Sequence, residues 1–257
     1  MPGFLILGAS SDIAADLTRR LHAAGHQTLL AARDVDSLTN LAAETDSQTV
    51  RFDAADGASV QAAFEAAQEQ FGPFQRGEGR GGGGFAGAAN MVGSFLMKAA
   101  HLTTDEEWAD TLRTNLDSAF HCVRAAGKTL RDGGSVVLMG SVAGRIGIHS
   151  HEAIAAAKAG VAGLSRSAAA TYAHRGLRFN CVSPGLTQTK LTQRVWKSEP
   201  AAEASRDMHA LHRLGEPGDV AAAVAFLLDP AHDWITGQEI GVDGGLSAVV
   251  VKNQKRS

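Results

Sequence analysis

Residues 4–14 read FLILGASSDIA. Four apolar residues at 4–7 are followed by a turn at Gly8 and then by a helical pattern that begins near Asp12. A short apolar run that ends at glycine is typical of a strand buried on both faces. The segment therefore predicts a strand, a tight turn and a helix, which together form the first part of a βαβ unit.

The same alternation continues along the chain. Apolar runs typical of strands lie at 4–7, 27–32, 49–53, 85–89, 135–139, 178–182 and 239–242, and helical patterns lie at 12–24, 34–44, 58–71, 105–130, 153–173 and 217–228. Strands that alternate with helices indicate a parallel sheet with both faces covered. We predict one α/β domain over residues 1–250, a Rossmann-type doubly wound fold whose seven-stranded parallel sheet is flanked by helices.

The composition argues against several classes of protein, among them nucleic-acid-binding and membrane proteins. The 24 basic and 27 acidic residues nearly balance, which argues against a nucleic-acid or anionic-membrane surface. No apolar run is long enough to span a bilayer, and the first residues lack the cationic start of a signal peptide. Cys122 and Cys181 have no metal-ligand spacing, so we expect buried thiols and no metal site. These features predict a cytoplasmic protein.

Three segments depart from the regular pattern. Residues 75–84, QRGEGRGGGG, are expected to form a flexible surface insertion, although a gated substrate loop or a local sequence error would also account for them. Residues 186–214 are predicted to contain the substrate lid, which is the variable part of such folds. Residues 251–257 are predicted to be a flexible tail.

The turn after the first strand has the features of a phosphate-binding site. Backbone N–H groups at a helix start attract a dinucleotide pyrophosphate, and this predicts contacts with Gly8, Ser10, Ser11, Asp12 and Ile13. Asp12 and Ala14 stand where the usual second and third glycines would be. A carboxylate would repel phosphate, so Asp12 is predicted to cap the helix with its side chain turned away.

The next two strand ends bear on the choice of cofactor. Arg33 follows the second strand where an acidic residue would grip a ribose 2′-hydroxyl, and its guanidinium suits a 2′-phosphate. This predicts NADP(H) in preference to NAD(H). Asp53, followed by Ala54, ends the third predicted strand, where a carboxylate can accept from the adenine amino group.

Over nearly its whole length the chain resembles the short-chain dehydrogenase/reductase family. Beyond Gly8 and Asp53, the resemblance rests on the order and spacing of seven further segments: Asn90-Met91-Val92-Gly93, Thr114-Asn115-Leu116, Gly140-Ser141-Val142-Ala143-Gly144, Lys158-Ala159-Gly160, Asn180 through Pro184-Gly185, Trp234-Ile235-Thr236-Gly237 and Val242-Asp243-Gly244-Gly245.

The resemblance implies a role for each matching residue. Asn90 would hold the central strands near the adenine ribose, and Asn115 would interrupt its helix and bind a water in a proton relay. Ser141 would hydrogen-bond the substrate oxygen, and Lys158 would bind the nicotinamide ribose. The nicotinamide would be lined by Pro184, Gly185, Thr187 and Thr189.

One expected side chain is missing. The family has a tyrosine thirteen residues after the serine and four before the lysine, and here that position is Ile154. The chain's one tyrosine, Tyr172, lies fourteen residues beyond Lys158 on the same predicted helix, roughly 21 Å away, which is too far to transfer a proton. His151 would share a face with Ile154 and Lys158 if the helix began early enough, and His149 is a second candidate donor.

Two further routes remain open. Water held by Ser141, Asn115 and Lys158 could donate the proton. The dienoyl-CoA reductases, a branch of the family, also lack this tyrosine, keep the lysine and reduce a conjugated C=C bond, and the Arg178-Phe179-Asn180 and Thr189-Lys190 segments resemble theirs.

The sequence therefore supports two functional hypotheses. The first is an NADP(H)-dependent oxidoreductase that acts on a carbonyl or an activated C=C with a proton donor other than tyrosine. The alternative is an NADP(H)-binding protein without catalysis, serving as a sensor or structural subunit. The family resemblance also implies a small-molecule substrate, and it implies a homodimer or homotetramer formed through the two long central helices and the last strand.

Overall fold

The computed structural model describes residues 1–77 and 82–250. Seven parallel strands form one sheet in the order β3-β2-β1-β5-β6-β7-β8, and this confirms the predicted fold class. The strands are β1 (Pro2–Leu7), β2 (Gln27–Ala32), β3 (Gln48–Arg51), β5 (Gly82–Asn90), β6 (Gly134–Met139), β7 (Leu177–Pro184) and β8 (Glu239–Val242). A two-residue strand, β4 (Gln75–Arg76), pairs antiparallel with β5.

Nine α-helices occur in the described residues: α1 (Asp12–Ala23), α2 (Thr39–Glu44), α3 (Gly57–Phe71), α4 (Asp105–Leu112), α5 (Ser118–Thr129), α6 (Glu152–Tyr172), α7 (Gln193–Trp196), α8 (Glu199–Met208) and α9 (Pro217–Leu228). Apolar side chains of α3, α5 and α6 pack on one face of the sheet. Those of α1, α2 and α9 pack on the other. Burial on both faces explains the uninterrupted apolar runs of the central strands.

The order of strands fixes where a ligand can bind. From β1 the chain builds outward through β2 and β3, and it then returns to the other side of β1 with β5. The carboxyl ends of β1 and β5 therefore border the crevice at which the winding of the sheet reverses. Open α/β sheets bind their ligands in such a crevice.

Several predicted elements have different bounds. The expected helix at 34–44 is a short 3₁₀ turn followed by α2, and the strand predicted at 49–53 ends at Arg51. The single helix predicted at 105–130 is divided into α4 and α5 by a π-helical turn, Arg113–Asp117. The predicted lid contains two helices, α7 and α8.

The glycine-rich segment is only partly the loop that was predicted. Gln75 pairs with Gly83 and Arg76 with Gly82, so both ends belong to a short antiparallel ladder. Phe74 supports this ladder, since a Cβ at Gly82 would lie 2.6 Å from its ring. Residues 78–81 of the insertion and 251–257 of the predicted tail lie outside the described residues.

Both cysteines are buried and unbridged, as expected of core thiols. No helix in residues 1–77 and 82–250 has the length and apolar character needed to cross a membrane.

Candidate functional site

The turn after β1 is closed tightly against its neighbours. Gly8 has φ +78°, and the N–H groups of Gly8 and Ala9 both donate to the carbonyl of Ala31. A Cβ at Gly8 would lie 3.0 Å from the backbone nitrogen of Val92. Glycine is therefore required both by the left-handed backbone and by the close approach of the segment that follows β5.

The cap of α1 differs from the prediction. Ser11, and not Asp12, is the N-cap residue, and its hydroxyl accepts from the N–H of Ala14. Asp12 is the first helical residue, and its Oδ2 accepts from the backbone N–H of Lys190 at 2.6 Å. The amides of Asp12 and Ile13 are at the start of the helix, where N–H groups have no intrahelical acceptor. The predicted phosphate position thus keeps its donors, with Ser10 exposed beside them.

The residues predicted to hold the adenosine end lie beyond neighbouring strands. Arg33 directly follows β2 and is exposed. Asp53 lies two residues beyond β3, where its N–H donates to the Ser59 hydroxyl and its Oδ1 accepts from the N–H of Ala55. The carbonyl of Ala54 faces Nδ1 of His121 at 3.0 Å. These residues flank the carboxyl edge of β2 and β3.

Asn90 is buried where β5 ends. Its Oδ1 accepts from the N–H of Val92, and its Nδ2 donates over 3.5 Å to Ser118 at the start of α5. Asn90 therefore fixes the course of the segment that follows β5, which packs against the turn at Gly8.

Asn115 lies in the π-helical turn and is buried. Its Nδ2 donates to the carbonyl of Thr111 and to the hydroxyl of Ser94, and its Oδ1 accepts from the N–H of Ser94. The predicted interruption of the helix is thus present. The π turn provides the extra backbone that lets the side chain bond to the segment after β5.

Lys158 extends from α6 into the interior, where its Nζ and Asn115 Oδ1 both lie beside Gly93. Its Nζ donates to the carbonyl of Met139, the last residue of β6, at 2.8 Å. A Cβ at Gly93 would lie 3.2 Å from Asn115 Oδ1 and 3.5 Å from Lys158 Nζ. Burial lowers the pKa of Lys158 to about 8. The structure therefore brings the predicted asparagine and lysine together.

Ile154 precedes Lys158 by one helical turn and is buried. Its side chain has no polar atom and cannot donate a proton in the position that the family resemblance assigns to tyrosine.

Ser141 begins the turn that follows β6. Its hydroxyl accepts from the N–H of Ala143 and caps a 3₁₀ turn, Val142–Gly144. A Cβ at Gly144 would lie 2.7 Å from the backbone nitrogen of Ala159. Glycine at this position lets the Ser141 turn pack directly on α6 beside Lys158.

The candidate alternative donors have distinct surroundings. His151 is the N-cap residue of α6, so the helix does not begin early enough for His151 to share a helix face with Ile154 and Lys158. Its Nδ1 lies 2.7 Å from the carbonyl of His149, and its ring contacts Phe95. Because a carbonyl only accepts, Nδ1 carries the proton and Nε2 is the acceptor of the neutral ring. His149 bonds through Nδ1 to the Ser150 hydroxyl.

Tyr172 is the last residue of α6. Its ring packs against Phe179 and under the guanidinium of Arg175. This position, eighteen residues after Ile154, is consistent with a structural role.

The segment after β7 contains the residues predicted to line the nicotinamide. Pro184 is the last residue of β7, and a Cβ at the following Gly185 would lie 2.6 Å from His209 Nε2. The Thr187 hydroxyl donates to the carbonyl of Gly185, and the Thr189 hydroxyl lies 3.2 Å from that of Thr192. Both threonines are buried.

Comparison with known proteins identifies the family. A family profile described as enoyl-(acyl carrier protein) reductase matches residues 8–247. The chain belongs to the short-chain dehydrogenase/reductase family. D-threitol dehydrogenase of Mycolicibacterium smegmatis (strain ATCC 700084 / mc(2)155) is 30% identical over 248 residues, which cover 94% of this chain and 91% of that protein.

Other relatives differ in the extent of the match. The inactive 2-(S)-hydroxypropyl-CoM dehydrogenase 2 of Xanthobacter autotrophicus (strain ATCC BAA-1158 / Py2) is 33% identical and covers 88% of this chain and 97% of that protein. The tropinone reductase homolog At5g06060 of Arabidopsis thaliana is 38% identical over 160 residues, but these cover only 62% of this chain and 61% of the relative. The crystal structure of gox2181 superimposes with a TM-score of 0.86 at 26% identity and covers 96% of both chains.

The family uses nicotinamide cofactors, and the turn at Gly8 fits one. A Cβ at Gly8 would occupy the narrow space between that turn and Val92, which glycine leaves open. The first amides of α1 provide donors for a phosphate. Sequence reasoning did not identify Ser94, which anchors Asn115, or the carbonyl of Met139, which holds Lys158. Ser94 directly follows the Asn90–Gly93 match, but its bond to Asn115 spans 21 residues and has no local sequence signal.

Proposed function

We propose that the protein is an NADP(H)-dependent oxidoreductase acting on a carbonyl or an activated C=C bond. The observation that carries the proposal is the convergence of Asn115 Oδ1 and Lys158 Nζ beside Gly93, at the carboxyl edge of the central strands. The hydrogen bonds of the Asn115 amide are made within the protein, whereas burial of the Lys158 ammonium is costly unless a ligand uses its charge.

The choice of NADP(H) over NAD(H) rests on Arg33. Its exposed guanidinium follows β2, where the ribose of a bound dinucleotide would lie, and an arginine there complements a 2′-phosphate. Removal of this charge is expected to weaken binding of NADPH far more than binding of NADH.

The protein's own residues would orient the reactants and deliver a proton. When bound, the reduced nicotinamide supplies a hydride to the carbonyl carbon or to the β-carbon of the activated C=C. Lys158 would hold the nicotinamide ribose from the interior side, and Ser141 would donate to the substrate oxygen. A proton must then reach that oxygen, or the α-carbon, so that the product is neutral.

Ile154 requires that the proton come from another group. His151 is one candidate, because its Nε2 is the ring nitrogen that would carry the second proton of an imidazolium. Water held near Asn115 and Lys158 is the other. Replacement of His151 by glutamine would distinguish them, since only a histidine donor makes turnover depend on this side chain.

The second candidate is a cofactor-binding protein without catalysis. Two observations favour it: Ile154 lacks a proton, and one relative that covers 88% of this chain is named as inactive. The retained Asn115 and Lys158 cluster favours the enzyme, because a binder has no need of a proton relay.

Turnover separates the two candidates. NADPH oxidation would be followed with a panel of ketones, quinones and enoyl-CoA esters for the native protein, Lys158→Ala, His151→Gln and Ile154→Tyr. For an oxidoreductase we expect turnover that Lys158→Ala reduces by at least about a hundredfold, as for loss of a group that organises the reacting centre. NADPH binding without turnover, together with carbonyl reduction gained in Ile154→Tyr, would instead identify a non-catalytic binder.

A further inference from the structure

Asp12 occupies a position where the cofactor-binding turn usually has glycine, and its carboxylate reaches a distant part of the chain. Oδ2 accepts from the backbone N–H of Lys190 at 2.6 Å. Oδ1 lies 3.9 Å from Nζ of the same residue, whose side chain is 84% exposed. The backbone bond is therefore the specific contact, and the ammonium adds only a screened attraction.

Lys190 belongs to the first part of the predicted lid, which we call the lid base (residues 187–192). The Thr192 hydroxyl donates to the carbonyl of Thr187, and the indole N–H of Trp196 donates to the carbonyl of Thr189. The N–H of Gln188 donates to the carbonyl of Gly215. The lid base is thus held by a bond within it and by bonds to Trp196 and Gly215, so that a contact at Lys190 constrains the whole segment.

The contact joins two parts of the site that bind different ends of a dinucleotide. Asp12 begins α1, next to the amides predicted to receive the pyrophosphate. The lid base contains Thr187 and Thr189, which are predicted to line the nicotinamide. A carboxylate beside phosphate is electrostatically unfavourable, so its presence requires a compensating role, which the bond to Lys190 supplies.

We propose that Asp12 is a positioning residue that holds the lid base against the phosphate-binding turn and thereby supports binding of the nicotinamide half of the cofactor. The inference rests on the proposed nicotinamide-dependent function. It assigns Asp12 a role through Lys190 and not through contact with the reacting atoms.

Four variants separate the parts of this role. Asp12→Ala removes the acceptor, whereas Asp12→Asn keeps an amide oxygen in its place. Lys190→Ala keeps the backbone N–H and removes the ammonium, and Lys190→Pro removes the N–H itself. Asp16→Ala is the matched control, because Asp16 lies one turn farther along α1 and pairs with Arg20 at the surface.

The first measurement is hydrogen exchange of the Lys190 amide in the full chain without cofactor. Asp12→Ala should accelerate it by about tenfold or more, because a charge-assisted bond that protects the amide is lost. Asp12→Asn, Lys190→Ala and Asp16→Ala should leave the lid base protected. An unchanged rate in Asp12→Ala would overturn the proposal.

The second measurement compares NADPH with 2′,5′-ADP, which lacks the nicotinamide. In Asp12→Ala the Kd of NADPH should rise severalfold, while the Kd of 2′,5′-ADP stays constant or falls because a repulsive charge is gone. Equal weakening of both ligands would indicate a damaged phosphate turn and overturn the proposal, as would an unchanged NADPH Kd. Lys190→Pro should reproduce the loss of NADPH affinity, and it replaces Asp12→Ala as the test variant if Asp12→Ala does not fold.

Failure of the proposed function remains distinguishable. If the wild-type protein prefers NADH, the same comparison uses NADH and 5′-ADP. If it binds no nicotinamide cofactor, the proposed function and the coupling to the cofactor both fail. The exchange rate of the Lys190 amide then still reports whether Asp12 holds the lid base.

Discussion

At the scale of one residue, burial of the Lys158 ammonium in the candidate site lowers the stability of the folded protein. Its ammonium is buried, with Met139 O as its hydrogen-bond acceptor, and burial lowers its pKa from 10.5 to about 8. Below pH 8 both the folded and the unfolded chain hold the proton, so the folded state bears the full cost of burying the charge. Between pH 8 and 10.5 the folded state loses its proton first, and the cost is relieved.

We therefore predict that Lys158→Met stabilises the protein at neutral pH while it removes any activity. At pH 7 the free energy of unfolding should rise by about 1–3 kcal/mol, because the burial cost disappears and only the bond to Met139 is lost. The advantage should shrink toward zero as the pH approaches 10. Urea unfolding of the cofactor-free protein at several pH values measures both effects.

Lys197→Met is the matched control for this prediction, because Lys197 is exposed on the lid. It should change stability little and with no comparable dependence on pH. A Lys158→Met variant less stable than wild type at pH 7 would show that the lysine is not strained by its burial.

Spacing along one helix made the relation of Ile154 to Lys158 predictable, since residues four apart share a face. The pairing of Asp12 with Lys190 was not predictable. It joins residues 178 positions apart, and a carboxylate at a helix start is equally compatible with a cap. Sequence reasoning chose the cap, and the adjacent Ser11 occupies that position instead.

At the scale of single elements, β5 departs from regular strand geometry. Gly3 pairs with Phe85 and Phe4 with Gly87, so Ala86 forms a bulge in the register with β1. Gly87 then has φ +153°, and a Cβ there would lie 1.9 Å from the carbonyl oxygen of Ser135 in β6. The apolar run predicted the strand. The pattern of apolar residues cannot predict the bulge, because a bulge arises from pairing with other strands.

Gly87→Ala should therefore be strongly destabilising. The new methyl group would collide with backbone that cannot move without breaking the β5–β6 ladder, and we expect a loss of about 3 kcal/mol or more, or failure to fold. Thermal or urea unfolding of the purified variant, or its soluble yield, measures this loss. Wild-type stability in Gly87→Ala would contradict the geometry of the bulge.

The matched substitution within a helix is Gly163→Ala in α6. A Cβ at Gly163 meets no atom within 4 Å, so the alanine should stabilise the helix by up to about 1 kcal/mol. The opposite signs of the two glycine substitutions distinguish a steric requirement from a general effect of glycine.

At the scale of the whole molecule, the sheet and its two helical layers followed from the alternation of strands and helices. The reversal of winding between β1 and β5 sets a crevice beside the turn at Gly8, where the sequence predicts the cofactor. The antiparallel β4 was not predicted, since dense glycine argues against a strand. It forms where Phe74 covers the ladder, a tertiary contact that outweighs local preference.

We infer that copies of the chain associate through two exposed aromatic side chains, which lie on different elements. Phe120 on α5 is 47% exposed, and Trp234 before β8 is 97% exposed. Large apolar side chains at the surface are a feature of protein interfaces. The family resemblance places contacts between subunits on the central helices and the last strand, and these residues lie on or beside those elements.

We predict a homodimer or homotetramer in which the two regions form separate symmetric contacts. A tetramer with two kinds of twofold contact retains one kind when the other is broken. Phe120→Glu and Trp234→Glu should therefore each reduce a tetramer to a dimer, and the double variant should be monomeric by sedimentation velocity. For a wild-type dimer, only one of the two substitutions should dissociate it.

A monomeric wild type at micromolar concentration, or an unchanged assembly in both variants, would contradict the prediction. Circular dichroism of each variant separates dissociation from unfolding, because a charge placed on an exposed surface leaves the buried core of the subunit intact.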